Sequence, residues 1–312
     1  MTDINLKLIK LIEEGKTINE ITTELNMTNK QILRRLNDIK MDGINYLRNY
    51  HYNGDITFNL NKSFNNGFKN ITNIKMKKED DFKAVVISDL HIGSELERLD
   101  LLYQVYDYCI NNNIHIIINA GDLVEGMNNY HFVEKEVYLK QIDHLLREHP
   151  YDKNILNFIC LGNHDTDSLR KDGINLSKML LNNRFDLIPI GFGKGILKIK
   201  DDFIYVLHPT AGVDLTVDTN NLILRGHSHK LKTIYENNQF TFYVPSLSDI
   251  KQVGSSNVPT FLELNIKFTN GLFKRGYMST LIIQDKIYNF SETQLDFDYN
   301  TYNYKKTKKI EK

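Results

Sequence analysis

The chain has 312 residues and a mass of 36.5 kDa, enough for about two domains. Its 39 Lys+Arg balance 39 Asp+Glu, which excludes a polyanion binder coated in positive charge and leaves room for a local basic face. Two cysteines, Cys109 and Cys160, exclude a disulfide framework and read as core residues. No apolar stretch nears the roughly 20 residues of a membrane span, and residues 1–5 show no secretory leader, so a cytoplasmic protein without a membrane partner is expected.

The chain opens on a helical stripe of Leu6, Leu8, Ile9, Leu11 and Ile12 that stops at Gly15. Thr17 to Glu20 is a capping box, and Ile18, Ile21 and Leu25 form the apolar face of the short helix behind it. Thr28 to Gln31 is a second capping box; it opens a helix with Ile32, Leu33, Leu36 and Ile39 inward, ending at Gly43. Two β-prone runs then flank Asn53-Gly54, a strong hairpin signal. Three helices and a hairpin over residues 1–60 resemble a winged helix-turn-helix. That resemblance makes the third helix a recognition helix and turns Asn29, Lys30, Gln31, Arg34 and Arg35 toward DNA or RNA. Against it, residues 1–60 hold eight Lys+Arg and eight Asp+Glu, whereas phosphate neutralisation normally supplies most nucleic-acid affinity. Docking onto a protein stays open as the other use of the unit.

Residues 61–81, rich in Asn and Lys, read as a linker, and residues 296–312 as a basic, solvated tail. From Phe82 the pattern changes. Short β-branched runs at 84–87, 114–118, 155–160, 203–207 and 222–224 are each closed by a polar cluster, and residues 101–110 and 137–146 have helical spacing. The alternation predicts an α/β domain over 82–295 whose strands are buried on both faces, with further strands after Phe240.

Every polar cluster holds metal-ligand residues: Asp89-Leu90-His91, Gly121-Asp122, Gly162-Asn163-His164-Asp165, His208, and Gly226-His227-Ser228-His229. Ligands of α/β sheets gather outside the carboxyl ends of strands, so these clusters are expected in one crevice. The donors are nitrogen and oxygen without thiolate, which suits Mn, Fe or Zn.

The five blocks, in this order, are similar to those of the calcineurin-like metallophosphoesterases. The resemblance implies a four-layer α/β fold, two packed β-sheets flanked by helices, and a site for two divalent metal ions, Mn first and Fe or Zn next. It implies Asp89, His91 and His229 on one metal, Asn163, His208 and His227 on the other, and Asp122 bridging both. It further implies attack on a phosphate ester by a metal-bridging hydroxide, with His164 donating to phosphate or the leaving oxygen and Asp165 orienting His164. His208 departs from the pattern, being followed by Pro209-Thr210, and Glu125 stands where relatives often carry Asp; a loop-fixing role is expected for it. Asn128 and His131, in the loop past Asp122, are candidate substrate contacts. His51, His115, His144 and His149 belong to no motif and read as surface or core residues.

The attached three-helix unit tips the expected substrate toward a nucleic-acid phosphodiester, as for a nuclease. The alternatives are a phosphatase or phosphodiesterase acting on a nucleotide, small molecule or phosphoprotein, and a DNA-binding regulator or scaffold that keeps the fold.

Overall fold

Three capped helices open the chain: α1 (Asp3–Glu13), α2 (Ile18–Leu25) and α3 (Asn29–Met41). Both predicted capping boxes form: Thr17 and Thr28 accept from the third backbone N–H, while Glu20 and Gln31 reach back to the cap N–H groups. The structure is a computed structural model and describes residues 2–61, 71–78, 81–126, 135–210, 212, 213, 215, 217, 222–250 and 258–297. Asn128, His131 and residues 298–312 of the expected tail lie outside the described residues. Strands β1 (Asn45–His51) and β2 (Ile56–Asn61) form the predicted antiparallel hairpin around Asn53-Gly54, where Gly54 takes φ 85°.

The expected linker at 61–81 contains a strand instead. Residues Ile71–Lys75 form β3, which pairs in parallel with β1 on one side and with β8 (Lys194–Ile199) on the other. Two neighbouring strands that each need a partner outweigh an Asn-rich composition of low β-propensity, and Ile74 anchors the strand in the core. The hairpin therefore ends a sheet shared with the rest of the molecule.

The remaining elements are β4 (Phe82–Ile87), α4 (Leu99–Asn111), β5 (Ile116–Asn119), α5 (Lys135–Glu148), β6 (Leu156–Leu161), α6 (Asn163–Asp172), α7 (Leu176–Asn183), β7 (Leu187–Phe192), β9 (Asp202–Leu207), β10 (Leu222–Arg225), β11 (Lys232–Glu236), β12 (Gln239–Tyr243), β13 (Thr260–Thr269), β14 (Leu272–Ile283) and β15 (Ile287–Asp296). They build a mixed α/β molecule with two sheets, in the orders β11-β12-β10-β9-β8-β3-β1-β2 and β15-β14-β13-β4-β5-β6-β7. Alternate residues of each strand face opposite ways. Ala84, Val86, Ile116, Ile118, Phe158 and Cys160 meet Leu197, Ile204, Val206, Leu224 and Phe242 between the sheets. Val85, Ile87, Ile117 and Ile159 face outward onto Leu102 and Val105 of α4, Tyr138 and Ile142 of α5 and Leu180 of α7. Both cysteines are buried, and burial pushes their thiols up.

The five motif strands belong to both sheets, β4, β5 and β6 to one and β9 and β10 to the other, and their carboxyl ends converge in the one crevice expected. The expected helices flanking both sheets need correcting. Helices cover the outer face of the seven-stranded sheet, but among the described residues the outer face of β9 and β10 carries Tyr205, Leu207 and Ile223 packed by Leu215 and Val217, with no helix. Among the described residues no helix is long and apolar enough to cross a membrane.

Candidate metal centre

Each motif leaves a strand at its carboxyl end and bends at once. Asp89, His91, Asp122, His227 and His229 all take left-handed backbone, with φ 54°, 47°, 51°, 75° and 54°. Asp and His enter this region more readily than most residues, yet the conformation carries strain that surrounding structure must hold. Here the holding is done by backbone: Asp89 N–H donates to the Gly121 carbonyl at 2.8 Å and His91 N–H to the Asp122 carbonyl at 3.1 Å, zipping the first two loops together. Gly121 combines φ 113° with direct contact on the His208 ring, and a Cβ at Gly162 would overlap the Asp122 carboxylate; no other residue fits either place.

The bends bring seven expected ligands together. Asp89, His91 and His229 form one close group, Asp122, His208 and His227 a second, and His91, Asp122 and His164 a third between them. Asp89 Oδ1 lies 3.2 Å from His229 Nε2, and the His91 and His229 Nε2 atoms face each other at 3.4 Å. On the other side Asp122 Oδ2 lies 3.0 Å from His208 Nε2. The Asn163 side-chain oxygen stands 3.1 Å from both His208 Nε2 and His227 Nδ1. His208, the ligand that departed from the family pattern, is fully buried and central.

Backbone carbonyls only accept, so they fix the tautomers. His208 Nδ1–H donates to Ala120 at 2.7 Å and His229 Nδ1–H to Ile250 at 3.0 Å. Each Nε2 then points inward, that of His208 at the Asp122 carboxylate and the Asn163 amide oxygen, that of His229 at Asp89 and His91. Such a buried set of acceptors needs a proton or a metal cation among its members. Asp89 Oδ1 is buried and makes no hydrogen bond. Burial works against a charged His208, yet the Asp122 carboxylate lifts its imidazole to about 9. Burial likewise works to raise Asp122 and Asp89, but the imidazoles hold both carboxyls below their ordinary range. The site calls for positive charge, and its donor set fits divalent metal ions.

Two roles change. Asp165 does not touch the His164 ring. Its buried carboxylate accepts from the backbone N–H groups of Leu123, Val124 and Gly162 at 3.1, 3.0 and 2.8 Å, tying the Asp122 and Asn163 loops together. Burial, with Asp122 close by, pushes this carboxyl up to about 6, against those three donors. The partner of His164 is the Glu125 backbone carbonyl, which accepts from Nδ1 at 2.5 Å and aims Nε2 at the site, 4.0 Å from Asp122 Oδ2. A side chain next in sequence was the visible candidate; a carbonyl has no sequence signature. The Glu125 carboxylate, expected to fix a loop, instead lies 3.0 Å from Nδ1 of His91, a candidate ligand. Ser88, singled out by nothing in the sequence, donates to Asp89 Oδ2.

The residues expected to face nucleic acid are scattered in their engagements. Asn29 Nδ2 donates to the Tyr151 hydroxyl at 2.8 Å, Gln31 is spent on the Thr28 cap, and Arg35 pairs with Asp38 at 3.6 Å. Lys30 and Arg34 are exposed. Tyr151 precedes β6, whereas Asn163 follows it, so α3 docks at the opposite end of that strand from the metal groups.

The calcineurin-like phosphoesterase family model matches residues 82–231, a span that contains all seven candidate ligands. No curated protein matches the chain in sequence. Among solved structures the chain is similar to Yfce, a phosphoesterase from E. coli, at 17% identity and TM-score 0.44, over 69% of this chain and 100% of that one. It is also similar to vacuolar protein sorting 29 from Cryptosporidium parvum, at 13% identity and TM-score 0.41, over 69% and 98%. An archaeal phosphodiesterase matches at 13% identity and TM-score 0.39, over 65% and 100%.

Proposed function

From the calcineurin-like phosphoesterase domain at residues 82–231, we propose that the protein is a dinuclear metal-dependent phosphoesterase. One observation carries the reading: seven nitrogen and oxygen donors converge from both sheets, with Nε2 of His208 and of His229 aimed inward by carbonyls on Nδ1. Asp89, His91 and His229 would hold one ion, Asn163, His208 and His227 the other, and Asp122 both. Two divalent ions there, Mn, Fe or Zn, would supply a water acidified to attack at neutral pH and neutralise charge on the phosphoryl oxygens.

The chain's own groups do the rest. The Glu125 carbonyl holds the proton of His164 on Nδ1, so Nε2 faces the site. Once protonated at Nε2, that nitrogen delivers the proton to the departing ester oxygen. Burial works against the charged ring, but the Asp122 carboxylate raises its proton affinity above the ordinary value. Asp165 keeps the Asp122 and Asn163 loops in register through its three backbone donors.

A nucleic-acid phosphodiester as substrate, read through a winged-helix unit, rests on Lys30 and Arg34 of α3. The alternative, a nucleotide or other small phosphate ester, is favoured by α3 docking away from the metal groups. One panel separates them: Mn-loaded protein with single- and double-stranded DNA, RNA, cyclic nucleotides, and a generic aryl phosphate beside its diester. Turnover of DNA or RNA that Lys30→Ala and Arg34→Ala weaken, with the aryl ester untouched, supports the nucleic-acid reading. Hydrolysis of the small esters alone rejects it. No hydrolysis by metal-loaded protein of any of these, with a phosphoprotein added to the panel, removes the phosphoesterase reading.

A further inference from the structure

At the far ends of β4 and β5 from the metal groups, the β1–β2 hairpin, the end of β3 and the start of β4 frame an open pocket of about 670 Å³. This volume lies within the range of small-ligand sites. Some 20 Å of extended chain separates Lys83 in the pocket from Asp89 in the metal centre.

The lining is one-sided in charge. Lys75, Lys77, Lys83, His51 and His115 face the pocket, and among the described residues no carboxylate lines it. In a chain of zero net charge, such a clustering of cations is a local departure. Neither Lys75 nor Lys83 makes an ion pair among the described residues. Burial, then the charge of Lys75, hold the His51 imidazole below its ordinary value, and Asp55 offsets this only in part.

The wall is not polar throughout. Tyr52 and Met76 are half-buried in it. The Tyr52 ring is fixed: it leans on Phe82 with centroids 5.6 Å apart, and its hydroxyl accepts from the Lys83 backbone N–H at 2.9 Å. A rigid aromatic and a thioether beside three ammonium groups match a ligand with a flat apolar part and a phosphorylated part. A bare inorganic anion would leave the apolar wall and most of the volume unused.

We propose that this pocket is a non-hydrolytic binding site for a nucleoside phosphate, with its phosphates on the three lysines and its base against Tyr52 and Met76. A ligand seated there touches the hairpin, β3 and β4 at once, and so ties the N-terminal unit to the phosphoesterase domain.

The test is calorimetric titration of the full chain with ADP, with adenosine, inorganic phosphate and a twelve-nucleotide single strand as the other probes. ADP is expected to bind, and to bind equally to the Asp122→Asn chain, since the pocket is remote from the metal centre. The triple variant Lys75→Gln, Lys77→Gln and Lys83→Gln should weaken ADP by at least about tenfold, because each lost cation removes a charge-assisted contact. Should that variant unfold, Lys75→Glu with Lys77→Glu leaves β4 untouched and should do the same, both side chains being exposed. Adenosine should bind far more weakly than ADP. Three results overturn the proposal: no ADP binding at millimolar concentration, ADP affinity unchanged by the lysine variants, or binding of inorganic phosphate as tight as ADP. Lysine-dependent binding of the single strand without binding of ADP also overturns it, and makes the pocket part of a nucleic-acid surface.

Discussion

The two ends of β6 are built on opposite rules. At its carboxyl end metal-ligand types crowd together: Asp122 and His227, both on left-handed backbone, meet Asn163 and the His208 ring, and Asp89 Oδ1 is buried without a hydrogen bond. At its amino end charge is fully answered. Arg184 makes a two-point contact with Asp186, 2.8 and 2.6 Å, and donates to the His149 and Pro150 carbonyls, while its guanidinium lies over the Tyr151 ring. The same Tyr151 accepts from Asn29 of α3. Folding alone rewards the second arrangement and penalises the first. The metal ions proposed for the first end would supply the charge that completes it.

That contrast predicts which variants lose function and which lose stability. Asp122→Asn removes the carboxylate that lies with His208 and His227 on one side and with His91 and His164 on the other, the proposed bridge between the two ions. It should cut kcat/KM by at least about 10⁴-fold. A clear fall in stability without loss of activity would erase the distinction between the ends. Arg184→Ala should do the reverse. Stranding buried Asp186 should cost about 3 kcal/mol in denaturant unfolding, while kcat of the folded fraction stays at the parent value. Smaller again is Glu125→Gln, which keeps the shape but loses the charge beside His91 Nδ1. Metal affinity should fall by roughly 10- to 100-fold, with full activity recovered at excess Mn. If saturating Mn fails to restore activity, Glu125 is more than a positioning residue.

The same contrast explains what was legible in the sequence. The five ligand blocks could be read because each follows a short β-branched run, and chemistry at strand ends follows from the topology of α/β sheets. Three capped helices were equally plain, since a capping box is local. Strand β3 was not: its pairing with β1 and β8 depends on partners far apart in sequence, and only Ile74 of its five residues is buried. Nor was the second half of the metal centre's scaffold. His164, His208 and His229 are each oriented by a backbone carbonyl, from Glu125, Ala120 and Ile250, and any residue supplies one. Asp165 misled for a related reason. It neighbours His164 in sequence, but the α6 turn points its carboxylate back at three N–H groups. The left-handed backbone at five ligands is set by the loops that lock together, which no single motif contains.

The most direct test of the dinuclear reading is a metal count. The full chain is loaded with excess Mn, freed of unbound ion by dialysis, and measured by elemental analysis, beside the variants Asp89→Ala and His227→Ala. Two equivalents per chain are expected for the parent protein, and about one for each variant, since each strips a different group. A parent value of one or none, or two equivalents retained in both variants, would contradict the assignment of these seven residues to two metal ions.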